Sequence, residues 1–184
     1  MAWFRNSTRE PLTVAMSGVK LADRVLVVGC SDPALIAGVG VKAGLTGRAC
    51  AVDTDARVVS HTARAVEREG ALVETAAVRL TALPYAAGDF DVVILRDVLA
   101  GAAVTEQPAI VAESLRVLRP GGRTVVIETS ATTSLAGLLS RSVHPAFFAA
   151  GGATPLLTAA GFAGVRTLGE SSGLTFVEGM KRNR

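Results

Sequence analysis

Residues able to do chemistry cluster where short apolar runs end. Val25-Leu26-Val27-Val28 leads into Gly29-Cys30-Ser31-Asp32-Pro33, a buried-looking strand followed by a glycine turn that lets backbone come close to a ligand. Asp53 closes a second apolar run, and Asp55, two residues on, suits the helix-capping role better, which frees Asp53 for a ligand. Arg79 and Leu80 follow a third run. As a pure donor, Arg79 reads either as a solvated side chain or as a contact for an anionic ligand, and inside a cleft it could instead pair with Asp53. Leu95-Arg96-Asp97-Val98 ends a fourth run and offers Asp97 as a weak acid or base candidate. His144 is a lone general-base candidate, whereas His61 lies in a polar stretch and reads as solvated. Cys30 and Cys50 lack metal-site spacing and read as reduced core thiols, so no metal is expected. Phosphate-loop, serine-elbow and zinc-protease motifs are absent, and the turn at Gly29 fails the dinucleotide glycine pattern.

The elements needed to hold these residues alternate along the chain. Strands are expected at 24–28, 49–52, 72–78, 90–95 and 124–128, each a short apolar run of the kind a doubly covered sheet uses. Asp32-Pro33 should open a helix running toward Ala43, with Gly44 as its stop, and Asp55 should open another that Gly70 closes. Residues 105–118 read as a helix halted by Pro120-Gly121-Gly122. Thr154-Pro155 starts a short helix ending near Gly161, and strands at 165–168 and 174–178 flank a turn-rich loop at 169–173. So short a link makes that last pair antiparallel. The fold class expected is therefore α/β: a Rossmann-like, mostly parallel seven-stranded sheet with one antiparallel strand from a C-terminal hairpin and helices on both faces.

At 184 residues and 49% hydrophobic content the chain suits one domain, 1–184, with an N-terminal segment at 1–20 and a small lid-like insertion at 129–152. No apolar run is long enough to span a membrane and the first ten residues lack a signal-peptide core, which points to the cytoplasm. A net charge of +3, without a basic stripe interleaved with aromatics, argues against nucleic acid as a partner. Within the insertion, Leu135, Leu138 and Leu139 could form an amphipathic segment, and Phe147-Phe148 could line a cleft, pack in the core, or meet a second copy in a homo-oligomer.

Gly29 after the first strand, Asp53 after the second, Leu83-Pro84-Tyr85 before Phe90-Asp91, and Arg116-Val117-Leu118-Arg119-Pro120-Gly121-Gly122 together resemble class I S-adenosylmethionine-dependent methyltransferases. The chain is most similar to the small-molecule group typified by ubiquinone and menaquinone biosynthesis enzymes (type 11). That resemblance implies S-adenosylmethionine as cofactor, held by Gly29, Cys30, Ser31, Asp53, Thr54, Arg79, Leu80 and Arg96, with Asp53 accepting from both ribose hydroxyls. The cofactor motif is degenerate. Val27 stands where the family has a carboxylate, Ser31 and Pro33 stand where it has glycines, and Arg79 replaces an acid that accepts from the adenine amino group. No Asn-Pro-Pro-aromatic or Asp-Pro-Pro-aromatic motif follows the fourth strand, which sets aside methylation of a base nitrogen. Two readings stay open: a methyltransferase with an unidentified small-molecule or protein acceptor, and a non-catalytic protein that keeps the fold for binding or scaffolding.

Overall fold

In a computed structural model that describes residues 10–130 and 145–183, the elements run α1 (Leu12–Ser17), β1 (Arg24–Val28), α2 (Pro33–Ala43), β2 (Arg48–Asp53), α3 (Ala56–Arg68), β3 (Glu74–Ala77), β4 (Phe90–Arg96), α4 (Gln107–Val117), β5 (Leu118–Thr129), α5 (Pro145–Ala149), α6 (Ala153–Ala159), β6 (Ala163–Ser171) and β7 (Leu174–Met180). Seven strands form one sheet in the order β3-β2-β1-β4-β5-β7-β6. The five N-terminal strands are parallel, while β7 runs against both β5 and β6. Strand order reverses between β1 and β4, so their carboxyl ends open a crevice of the kind in which such sheets bind ligands.

Side chains alternate across the sheet. Leu26, Val28, Cys50, Val52, Val93, Leu95 and Val126 pack on one face with Ile110, Val111 and Leu157 from α4 and α6. Val25, Val27, Ala51, Val92, Ile94, Val125 and Ile127 pack on the other with Val14, Leu35, Ile36, Val59 and Val66 from α1, α2 and α3. Burial on both faces explains why the strands read as unbroken apolar runs. The expected helix starts hold as well: Asp32 accepts from Leu35 N at 3.0 Å and Asp55 from Arg57 N at 2.8 Å.

Several boundaries differ from expectation. The N-terminal segment contains α1, whose Val14 is buried against Gly38 of α2; a Cβ at Gly38 would collide with it. β3 is shorter than 72–78 because Leu72 lies 73% exposed at the sheet edge. No helix links β3 to β4; that crossover is made of turns. α4 does not stop at Pro120-Gly121-Gly122 but passes straight into β5 at Leu118. The Pro-Gly-Gly run is a bulge instead: Phe90 pairs with Leu118 and Val92 with Arg123, so residues 119–122 stand opposite Asp91 alone. β6 likewise continues to Ser171, leaving Ser172 (φ 54°) and Gly173 (φ 75°) as a two-residue turn with both residues left-handed.

Leu135, Leu138, Leu139 and His144 lie outside the described residues. Of the expected aromatic pair, Phe147 is a core residue at 8% exposure, edge-to-face with Phe148 at 5.3 Å.

Candidate functional site

At the carboxyl ends of β1, β2, β4 and β5 lies a cavity of about 470 Å³. Gly29 begins its floor at φ 96°, and a Cβ there would overlap the Arg96 carbonyl oxygen, so the neighbouring strand end itself demands glycine. Asp53 faces the cavity with its carboxylate fixed from behind: Cys30 N donates to Oδ2 at 2.8 Å and Asp55 N to Oδ1 at 3.1 Å. Oδ2 keeps a further lone pair for a ligand donor, and Oδ1 also accepts from Thr54 Oγ1 at 3.5 Å, a long contact that a ligand donor can replace.

Of the residues expected at the site, Gly29, Ser31, Asp53, Thr54, Arg79, Leu80 and Arg96 line this one cavity. Cys30 does not. Its thiol is buried in the core and pushed up to about 12, first by burial and then by the Asp53 charge, so it contributes backbone only. Val27 is likewise a core residue at 1% exposure. Arg79 is exposed at the rim and makes no ion pair with Asp53 among the described residues. Ser31 Oγ is buried without a hydrogen-bond partner among the described residues.

Charge at the floor is organised around Arg96. Its guanidinium pairs with Asp97 at 2.5 Å and reaches Asp32 at 3.4 Å. Asp97 adopts φ 52°, unusual for a residue with a Cβ, and accepts from Thr129 N at 2.7 Å and Thr129 Oγ1 at 3.1 Å. Those contacts hold a carboxylate beside the glycine turn although Val27 cannot supply one.

Sequence reasoning missed Glu128. It lines the cavity from β5 at 2% exposure, with Oε1 accepting from Leu99 N at 2.8 Å and Ala100 N at 3.4 Å and with Oε2 unpartnered among the described residues. Burial, reinforced by Asp97, outweighs these N–H groups and Arg96 and pushes its carboxyl up to about 8. The sequence holds a hint, since Thr124, Val126 and Glu128 alternate onto one face, but alternation does not tell a covered strand end from an exposed one. Among the described residues no cluster of His, Cys, Asp and Glu is arranged to hold a metal, and no helix is long and apolar enough to cross a membrane.

Against this geometry, a family model described as a methyltransferase domain matches residues 26–126. The chain belongs to that methyltransferase family. S-adenosylmethionine is the methyl donor of the family. Among solved structures, the chain is similar to a SAM-dependent methyltransferase from Aquifex aeolicus, with TM-score 0.75 at 18% identity over 91% of this chain and 86% of that one. It is also similar to PigF with SAH (TM-score 0.64, 17% identity, 91% of this chain and 54% of that one). A third is the [4+2]-cyclase SpnF, at TM-score 0.67 and 16% identity over 93% of this chain and 79% of that one. Comparison with curated protein sequences finds no match. These likenesses are to the methyltransferase fold, which the sheet order and the C-terminal hairpin reproduce.

The donor set in the cavity fits the methyltransferase cofactor. A positioned carboxylate suits a pair of ribose hydroxyls, the orphaned Ser31 hydroxyl needs a polar partner, and Arg96 beside Asp97 offers opposite charges to an amino-acid group. Its volume lies within the ordinary range for small-ligand sites, about 300–1,000 Å³.

Proposed function

We propose that this chain is an S-adenosylmethionine-dependent methyltransferase acting on a small-molecule acceptor. The supporting observation is Asp53, whose carboxylate is locked by Cys30 N and Asp55 N while it faces the cavity. In this reading Asp53 accepts from the ribose hydroxyls, Arg96 pairs with the amino-acid carboxylate, and Asp97 takes the ammonium group that Val27 cannot. Thr54, Leu80 and the exposed Arg79 border the base, with Arg79 unable to replace an accepting acid there. Gly29, Ser31 and the backbone of Cys30 form the turn beneath it. When bound, the cofactor supplies a methyl group already activated on a sulfonium sulfur. What the protein adds is position: a floor of fixed donors and acceptors costs little reorganisation when the two partners meet. We further read the chain as one functional unit.

The Arg96–Asp97–Asp32 group also favours a second reading, a non-catalytic role, because these charges already satisfy one another across the floor. Fold by itself does not choose between the two readings.

Calorimetry with S-adenosylmethionine and with S-adenosylhomocysteine separates them. Micromolar binding is expected for wild type, weakened by about 10- to 100-fold in Asp53→Ala, the cost of leaving two ribose donors unpaired. Absence of binding to either compound, checked by thermal shift, would make the non-catalytic reading correct.

A further inference from the structure

Glu128 stands between two cavities. Beyond the donor cleft it also lines a second one of about 240 Å³, walled by Val126 and Val177 of the sheet, Phe147 and Phe148 around α5, and Glu170 of β6. Oε1 is held by two backbone N–H groups, whereas Oε2 has no partner among the described residues although the side chain is only 2% exposed. A buried oxygen left without a bond costs stability unless a ligand completes it. We propose that Glu128 is the catalytic base of the acceptor site, its Oε2 receiving the hydroxyl proton of a neutral phenolic or enolic acceptor whose ring occupies the second cavity. This rests on the methyltransferase reading above.

The chemical class follows from the walls. Phenylalanine and valine surfaces suit a ring, and the modest volume suits one or two rings. The charged groups that line the two cavities with Glu128 are Asp53, Arg79, Arg96, Asp97 and Glu106 on the donor side and Glu170 of β6 on the other. The second cavity itself holds no cation among the described residues, its other charged side chain being Glu170, so it suits a neutral acceptor rather than an anionic one. Proton affinity points the same way. A carboxyl near 8 is within reach of a phenol at about 10 but far below water-like hydroxyls at about 15.7. In the reaction the acceptor oxygen bonds to the methyl carbon as the carbon–sulfur bond breaks and its electron pair returns to sulfur. The hydroxyl proton passes to Oε2, leaving a neutral thioether, a methyl ether and a protonated Glu128.

The probe is 1-naphthol, with 1-methoxynaphthalene as the control lacking the proton, each added with S-adenosylhomocysteine to protein carrying carboxyl-labelled glutamate. Carbon NMR identifies the Glu128 signal by its loss in Glu128→Gln. 1-Naphthol should move that signal and bind about tenfold more tightly at about pH 8.5 than at about pH 6.5, following ionisation of Glu128. Binding should be flat with pH in Glu128→Gln and for the methyl ether. Glu128→Asp, which withdraws the carboxyl but keeps its charge, replaces the Gln variant if that fails to fold, and it should lose the tightening as well. The proposal is overturned if 1-naphthol binds without moving the Glu128 signal, if the pH dependence persists in the variant, or if 1-naphthol does not bind while S-adenosylmethionine does. That last result leaves the donor reading standing. Naphthol binding with no S-adenosylmethionine binding instead removes the methyltransferase reading and, with it, the role of Glu128 as base.

Discussion

Glu113 and Glu128 contact the same side of the molecule, and their surroundings drive them in opposite directions. Glu113, on α4, accepts from Leu83 N at 2.7 Å and from Arg116 Nε at 2.7 Å, and Arg116 in turn donates to the carbonyls of Tyr85 at 2.8 Å and Leu83 at 3.0 Å. Arg116 holds the Glu113 carboxyl below its ordinary value, and together the pair clamps the Leu83-Pro84-Tyr85 turn that replaces a crossover helix. Glu128 has two N–H groups on one oxygen, none on the other, and burial raises it. The framework satisfies its polar atoms; the cavity does not. Ser31 Oγ and Glu128 Oε2, the two unpartnered buried side-chain atoms among the described residues, belong to residues lining the same cavity. Unpaired polar groups concentrated in one place mark where a ligand completes the structure.

The contrast can be broken first from the clamp side. Arg116→Met should destabilise the protein by about 2–3 kcal/mol in urea unfolding, because it strands Glu113 and frees two carbonyls, with the exposure of Arg116 keeping the loss below that of a fully buried pair. A smaller and opposite effect is expected at Glu128. Its folded-state carboxyl is raised, so the folded protein binds the extra proton and loses stability as pH rises from about 4.5 toward about 8. Glu128→Gln should therefore gain on the order of 1–2 kcal/mol over wild type at about pH 8 and little at about pH 5, measured as thermal midpoints at both values. An equal shift at the two pH values would mean that Glu128 is not the group losing its charge on burial. Smallest is Ser31→Ala, which removes a hydroxyl with no partner and should change stability by less than about 1 kcal/mol, toward gain, while lowering donor affinity. A loss of stability would show that the hydroxyl is already satisfied, and would remove one half of the contrast.

How much of this was legible depended on how local the cause was. The helix starts at Asp32-Pro33 and Asp55 were readable because capping and proline chemistry act within one turn. The central strands were readable because burial on both faces leaves a continuous apolar run. Pro120-Gly121-Gly122 was misread as a helix stop because the same residues also make a bulge, and only pairing with β4 decides between them. The short β3 was misread because a strand at a sheet edge has one neighbour to hold it, and α1 because so short a helix forms by packing Val14 onto Gly38 rather than by its own propensity. At the site, Gly29 and Asp53 stood out through position at strand ends. Glu128 did not, since an acid ending an apolar strand looks like the strand's exposed edge until both faces are seen to be covered.

By itself the sequence determined the α/β alternation and the antiparallel C-terminal hairpin through periodicity and turn residues, the resemblance to the methyltransferase family through short motifs, and seven of the residues that line the cleft through their place at strand ends. Tertiary structure alone decided that Cys30 and Val27 turn into the core, that Asp97 is held by Thr129 on the cavity wall, and that Glu128 lies buried between two cavities. The reason is physical: a side chain's exposure, partners and proton affinity come from elements distant in sequence, and no local pattern encodes them.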